Sequence, residues 1–215
     1  MTSDYRTMFV SDFHLGSRHS KAKRLLDFLK ANTADKYYLV GDVLDSHTFL
    51  GSWPSHHNAV LIHFAQCASK GSEVIYIPGN HDEVFRHHTG RYGRLVVAAH
   101  WVHHCLDGRK FLVTHGDETD MIGLGYLLNV LVFLERFLPI TFWEILRKFF
   151  GATIRNHTVK FQRKMLRETN GYSGIICGHV HYPKLSPSYM NCGDWVHHCT
   201  AIVEHHDGQF ELLKG

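Results

Sequence analysis

Five short apolar runs, each stopping abruptly at a polar or glycine-bearing turn, limit what this chain can fold into. "TMFV" leads into Ser11-Asp12-Phe13-His14, "YYLV" into Gly41-Asp42, and "EVIYI" into Pro78-Gly79-Asn80-His81-Asp82. "FLVT" leads into His115-Gly116-Asp117 and "GIIC" into Gly178-His179-Val180-His181. Runs this short, rich in β-branched and aromatic residues and bounded by turns, read as strands. Helical patterns lie between the early ones. "SKAKRLLDFLKAN" puts Ala22, Leu25, Leu26 and Leu29 on one face, and "NAVLIHFAQCASKG" runs from Ala59 to Ala68 with Gly71 as its stop. Strands alternating with helices predict an α/β architecture with β-α-β connections. Asp107-Gly108 and Asp207-Gly208 sit between strand-like runs and predict hairpins, so mixed sheets are expected.

A length of 215 residues suits one domain with an insertion, and 44% hydrophobic content supplies a core. The net charge of +3 is too small to argue for a nucleic-acid partner. Five cysteines, an odd number with no C-x-x-C, predict reduced thiols and a cytosolic protein. No signal peptide is expected from "MTSDYRTMFVSD", which lacks an apolar core. The longest apolar stretch, "MIGLGYLLNVLVFL", falls short of the ~20 residues of a membrane span. Histidines are frequent and often paired, as at His56-His57 and His103-His104, and most of these doublets are expected at the surface.

Residues 121–167 stand apart, with no strand signal. The segment is strongly apolar to Leu138, is interrupted at Pro139, and continues as "ITFWEILRKFF". From Arg147 to Arg167 there are seven Lys or Arg and no acid, so one sign of charge dominates. In the last helix Ile154, Thr158, Phe161 and Met165 form an apolar stripe. Asn156, Lys160, Arg163, Lys164 and Arg167 fall on another face.

The strand ends carry the chemistry. In open α/β sheets, ligands bind beyond the carboxyl ends of strands, where residues distant in sequence meet. Asp-x-His at 12 and 14 and His-x-His at 179 and 181 each place two side chains on the same side of an extended chain. Carboxylate, amide oxygen and imidazole without thiolate suit Mn²⁺, Fe²⁺ or Zn²⁺. Asp12, His14, Asp42, Asn80, His115, His179 and His181 are too many ligands for one ion and about right for two, with Asp42 the candidate bridge. Two ions ~3.5–4 Å apart can hold a hydroxide as nucleophile and clamp a phosphoryl oxygen. Asn80 ligates without adding negative charge, and His81 can protonate the leaving oxygen. Asp45 and Asp117 are expected to orient ligand histidines or backbone from behind.

The series "DFH", "GDVLD", "GNHDE", "HGD" and "GHVH", in this order, resembles the calcineurin-like metallophosphoesterases from about Thr7 to His181. "SDFHLG", "IYIPGNHDE", "HGDETD" and "NCGDWVHHCTAIVEHHDGQFEL" narrow the resemblance to the branch of UDP-2,3-diacylglucosamine pyrophosphatases, over nearly the whole chain. The family fold implied is an α/β sandwich of mixed sheets flanked by helices. Here it would be one domain over 1–215, with a helical cap inserted at about 121–167. The resemblance implies two divalent ions, Mn²⁺ foremost, and hydrolysis of a UDP-linked diacyl sugar to UMP and a lipid phosphate. It also implies a peripheral location at the cytoplasmic face of the inner membrane. Asp120 matches a substrate-contacting acid of the branch, and Asn80, His81 and His179 would face the same substrate. The best-known enzyme of the branch has Arg where this chain has His81, which leaves open a different phosphorylated lipid, nucleotide or phosphodiester. A complete ligand set speaks against a non-catalytic scaffold.

For the apolar insertion, packing on the core and an acyl-chain slot both remain open; each buried methylene is worth about 0.8 kcal/mol. Lys160, Arg163, Lys164 and Arg167 are read as contacts for the substrate diphosphate or for an anionic membrane surface rather than as a merely solvated face.

Overall fold

The computed structural model describes residues 4–46, 53–119 and 151–215, with side chains in the last segment described from residue 156. The chain divides into two compact units, Met1–Asp117 with Thr169–Gly215, and Glu118–Glu168.

The first unit contains two mixed sheets. One has the order β12-β11-β1-β2-β3-β5-β4, with β1 (Tyr5–Val10), β2 (Ala34–Val40), β3 (Glu73–Ile77) and β5 (Leu95–Val97) parallel. β4 (Gly90–Tyr92), β11 (Thr200–Glu204) and β12 (Phe210–Lys214) join it antiparallel. The other sheet has the order β6-β7-β8-β10-β9. There β7 (Lys110–Val113), β8 (Gly174–Cys177) and β10 (Tyr189–Asn191) are parallel, edged by β6 (Trp101–His104) and β9 (Lys184–Leu185). Both Asp-Gly hairpins form, joining β6 to β7 and β11 to β12.

The strands read as unbroken apolar runs because both faces of the first sheet are covered. Met8 and Val10 of β1, Tyr37 and Leu39 of β2, and Val74 and Tyr76 of β3 point into one core. That core includes Leu25, Phe28 and Leu29 of α1 (Ala22–Ala31) and Val60 and Phe64 of α2 (Ser55–Ser69). The alternate residues Phe9, Tyr38, Val40, Ile75 and Ile77 meet Phe111, Val113, Ile176 and Met190 of the second sheet. The unit is therefore a sandwich with helices on the outer face of one sheet.

On α1 it is Phe28, not Leu26, that completes the buried face, Leu26 being only partly buried. α2 begins at Ser55, four residues before the expected start, after Pro54 in extended conformation. All five cysteines are free.

Two doublet histidines expected at the surface are buried. His103 packs edge-on to Phe9 and pairs with Glu204. His57 of α2 accepts the Gly16 N–H at Nδ1, 2.8 Å away, and so ties the helix to the turn after β1. Burial, with His56 beside it, pushes the His57 pKa from 6.5 to about 4. Between those values the unfolded chain takes up a proton that the folded one refuses. Folding stability contributed by neutral His57 is therefore complete above pH 6.5 and is lost as pH falls toward 4. In chelator, the wild type should lose roughly 2–3 kcal/mol more over that window than His57→Gln, whose amide oxygen still accepts the Gly16 N–H. Urea unfolding at several pH values checks this, and parallel profiles for the two proteins would sink it.

The second unit contains α3 (Gly151–Arg167). Thr158, Phe161 and Met165 are buried, as their stripe predicts, while Asn156, Lys160, Arg163, Lys164 and Arg167 are exposed. The Thr119 hydroxyl donates to Met165 Sδ at 3.0 Å, and the Lys164 ammonium donates to the Thr119 carbonyl. Asp120 and the cap residues 121–150 lie outside the described residues. No helix among the described residues is long and apolar enough to cross a membrane.

Candidate metal centre

The turns after β1 and β2 stay laced together beyond the strands. Asp12 N–H donates to Gly41 O, His14 N–H to Asp42 O, Leu15 N–H to Val43 O, and Asp45 N–H back to Leu15 O, at 2.9–3.0 Å. Trp195 N–H donates to Asp12 O at 3.0 Å and braces the same turn. Asp194, fully buried, accepts from the Val196 N–H and the His198 ring and so shapes the turn that carries Trp195.

The backbone here departs from the extended geometry expected of Asp-x-His and His-x-His. Asp12, His14, Asp42, His179 and His181 all have left-handed φ, between 47° and 69°. β1 and β8 have ended before these residues, so a left-handed turn, not strand alternation, brings each pair to one point. Residues other than glycine rarely hold this conformation, and when they do they cluster at functional sites.

The side chains converge on Asp42 and Asp12. Asp42 Oδ2 lies 3.4 Å from His115 Nε2 and 3.7 Å from His14 Nε2, between the two rings. His181 Nε2 lies 2.9 Å from Asp12 Oδ1 and 3.2 Å from His14 Nε2. Asp12, His14 and His181 form one group with ligand atoms within 4.8 Å of one another, and Asp12, Asp42 and His115 form another. His115 Nδ1 sits 2.9 Å from Val40 O, which can only accept, so Nε2 is the atom left to face the carboxylates. His179 lies beside His115, ring centroids 5.2 Å apart, and its N–H donates to Asp12 Oδ2 at 3.1 Å.

Of three buried atoms here, Asn80 Oδ1 makes no hydrogen bond within the described structure, while Asp12 Oδ1 and His115 Nε2 have only ion-pair contacts, the nearest with His181 and Asp42 respectively. Such atoms are costly unless something else satisfies them. Two carboxylates, an amide oxygen and imidazole nitrogens make the donor set of a hard to borderline divalent cation. The residues therefore fit metal ions, in a candidate dinuclear centre.

The electrostatics agree. Burial opposes ionisation of Asp42, but the His115 and His14 rings hold its carboxyl well below the usual range. Asp12 is lowered likewise, against burial, chiefly by His181. In return, and again against burial, Asp42 lifts His115 to about 10 and Asp12 lifts His181 to about 9. Burial dominates at His14 and lowers it to about 4. The paired carboxylates thus retain positive charge in the pocket, as protons on two rings when no metal is there.

His81 N–H donates to Asp42 Oδ1 at 2.9 Å. Its Nδ1 lies 3.2 Å from Asp45 Oδ1, and its ring meets His14 edge-on at 4.7 Å. Burial would lower its pKa; the hydrogen bond its ring donates to Asp45 and the Asp42 charge raise it. Asp45 thus contacts His81, which lies outside the expected ligand set, and Asp117 pairs with Arg86. Lys160, Arg163, Lys164 and Arg167 belong to the second unit.

Two supporting residues escaped sequence reasoning. Asp82 is fully buried and accepts at Oδ2 from Val43 N–H (2.7 Å), Leu44 N–H (3.2 Å) and the Tyr76 hydroxyl (2.6 Å), and at Oδ1 from Gly79 N–H (2.5 Å). It joins the turn bearing Asp42 to the turn bearing Asn80. Aspartate just after a tight turn often captures backbone N–H groups, and that signal was present. Gly79 lets the backbone close on the site: a Cβ there would stand 2.3 Å from Asp42 Oδ1 and 2.6 Å from the His115 ring.

A further buried group, His103, Cys105 and Glu204, has similar spacing but is closed. Glu204 accepts from the Arg6 guanidinium, the Thr7 hydroxyl, the His103 ring and the Leu106 N–H. Its charge is already met by Arg6.

A mixed-sheet α/β sandwich with carboxylate, amide and imidazole groups gathered at its strand ends defines a metal-dependent phosphoesterase. The model of the calcineurin-like phosphoesterase family matches residues 5–183, and the chain belongs to that family. It is 27% identical to the UDP-2,3-diacylglucosamine hydrolase of Aeromonas salmonicida over 226 aligned residues, covering 92% of this chain and 89% of that protein. The UDP-2,3-diacylglucosamine hydrolase of Porphyromonas gingivalis is 30% identical over 118 residues, 51% of this chain and 45% of that one. Among solved structures, Yfce, a phosphoesterase from E. coli, aligns with TM-score 0.46 and 16% identity, covering 96% and 97% of the two chains.

Proposed function

We propose that this phosphoesterase hydrolyses the pyrophosphate of UDP-2,3-diacylglucosamine, or of a closely related nucleotide-linked lipid, to UMP and a lipid phosphate. The observation that carries the substrate is the likeness to the A. salmonicida hydrolase along 92% of the chain. In this reading Asp12, His14, Asp42 and His181 hold one divalent ion, and Asp42, Asn80, His115 and His179 hold a second. The position of Asp42 Oδ2 between the His14 and His115 rings supports the shared ligand. The donor set favours Mn²⁺, with Fe²⁺ or Zn²⁺ the alternatives. When bound, two such ions supply Lewis acidity that activates water and takes up phosphoryl charge.

The chain's own residues do the rest. Asn80 contributes a neutral oxygen, so the site attracts a diphosphate that a third carboxylate would repel. Asp45 engages His81 at Nδ1, which leaves Nε2 to deliver a proton to the departing oxygen. The pairing also favours the protonated ring that such a donor needs. Asp120 and the exposed cations Lys160, Arg163, Lys164 and Arg167 are proposed to bind the diphosphate or anionic headgroups. The insertion at about 121–167 would serve as an acyl-binding cap on one phosphoesterase domain, placing the protein peripherally at the cytoplasmic face of the inner membrane. His81, where the best-known enzyme of this branch has Arg, favours a related substrate as the second reading.

The test is hydrolysis of UDP-2,3-diacylglucosamine by Mn²⁺-loaded protein in detergent, beside bis-p-nitrophenyl phosphate. UMP release far above the rate on the simple diester is expected. Turnover of the diester alone would keep the phosphoesterase and discard the lipid substrate.

A further inference from the structure

Arg86 lies in the 3-10 helix Glu83–His88, after the turn bearing Asn80 and His81. One of its guanidinium nitrogens, Nη2, sits 2.7 and 2.8 Å from the two carboxylate oxygens of Asp117. The same nitrogen lies 3.2 Å from Pro78 O, with Nε at 3.4 Å. Pro78 follows β3 of the first sheet, and Asp117 follows β7 of the second, two residues past His115. The side chain is 27% exposed and its partner 12%, so the contact is largely shielded from water.

The neighbouring peptide gives this contact its leverage. Gly79, next to Pro78, approaches so closely that an added Cβ would touch both Asp42 and the His115 ring. Any movement of the Pro78–Gly79 backbone is therefore transmitted to Asp42 and His115, and it carries Asn80 along.

We propose that Arg86 is a positioning residue for the second metal ion: it clips the turn carrying Asn80 to the turn carrying His115, across the two sheets, and fixes their separation. The inference rests on the two-ion reading above. It concerns chiefly the ion held by Asn80 and His115, since Asp42 is shared by both ions. The other ion shares Asp42 but takes three further ligands, Asp12, His14 and His181, that stand on other turns, whereas the second ion takes both Asn80 and His115 from the two clipped turns. A selective effect follows, which general loosening of the fold would not produce.

The experiment is calorimetric Mn²⁺ titration of wild type, Arg86→Lys and Arg86→Ala, with melting temperatures of the metal-free proteins. Wild type should bind two ions per chain. In Arg86→Ala one of the two ions should lose about 10–100-fold in affinity while the other is weakened far less, with Lys intermediate. Two ions at unchanged affinities in Arg86→Ala would overturn the inference alone. So would equal weakening of both in step with a lower melting temperature. Fewer than two ions in the wild type would overturn the two-ion reading and this inference with it.

Discussion

Asp42→Ala is expected to lower turnover at least about a thousandfold and to leave the protein with fewer than two divalent ions. Asp42 Oδ2 lies between the His14 and His115 rings, and Oδ1 takes the His81 N–H. One side chain thus serves both proposed ions and the proposed proton donor. Its loss removes a shared ligand, strips His115 of the charge that most favours its cationic form, and unfastens the His81 backbone. About 4 kcal/mol of lost transition-state stabilisation corresponds to that thousandfold, and a bridging metal ligand supplies several kcal/mol. Metal analysis and steady-state rates check it together. Wild-type activity in the variant would overturn the assignment of Asp42.

Asp82→Ala is expected to act on the fold instead, destabilising it by about 3–5 kcal/mol. Four donors meet on this fully buried carboxylate: three backbone N–H groups and the Tyr76 hydroxyl. Leaving a buried donor without a partner costs about 1–3 kcal/mol, though water entering the vacated space offsets part of the sum. Tyr76→Phe removes one donor and leaves Asp82 the rest, so a loss of about 1 kcal/mol is expected there. Chemical denaturation of both variants in the metal-free state separates them. Equal small losses would mean that Asp82 does not hold the two turns together.

Asp82 also shows where reading the sequence stopped. Its block was visible, because strand-end residues announce themselves: an apolar run is interrupted and a carboxylate or imidazole appears. The same interruptions located Asp12, Asp42, Asn80, His115 and His179. What Asp82 does could not be seen, since its partners Val43 and Leu44 lie about forty positions earlier in the chain. Arg86 and Asp117 meet across two sheets for the same reason. Strands of two or three residues, such as β5 and β9, are too short to show a period at all. His57 and His103 looked like surface doublets because a buried imidazole satisfied by one acceptor or donor has no local signature. The left-handed backbone at Asp12 and His14 was equally hidden; nothing in the residue types demands it.

That hidden backbone geometry bears on how the protein tolerates change. Left-handed backbone costs aspartate or histidine on the order of 1 kcal/mol relative to glycine, and five such residues gather at this centre. Substituting glycine at any one of them would relieve local strain while deleting a candidate ligand. Such a variant can melt later and work worse, so a search that selects for heat resistance alone would tend to dismantle the catalytic end of this sandwich. Stability and activity are set against each other residue by residue, in the torsion angles of the ligand-bearing turns.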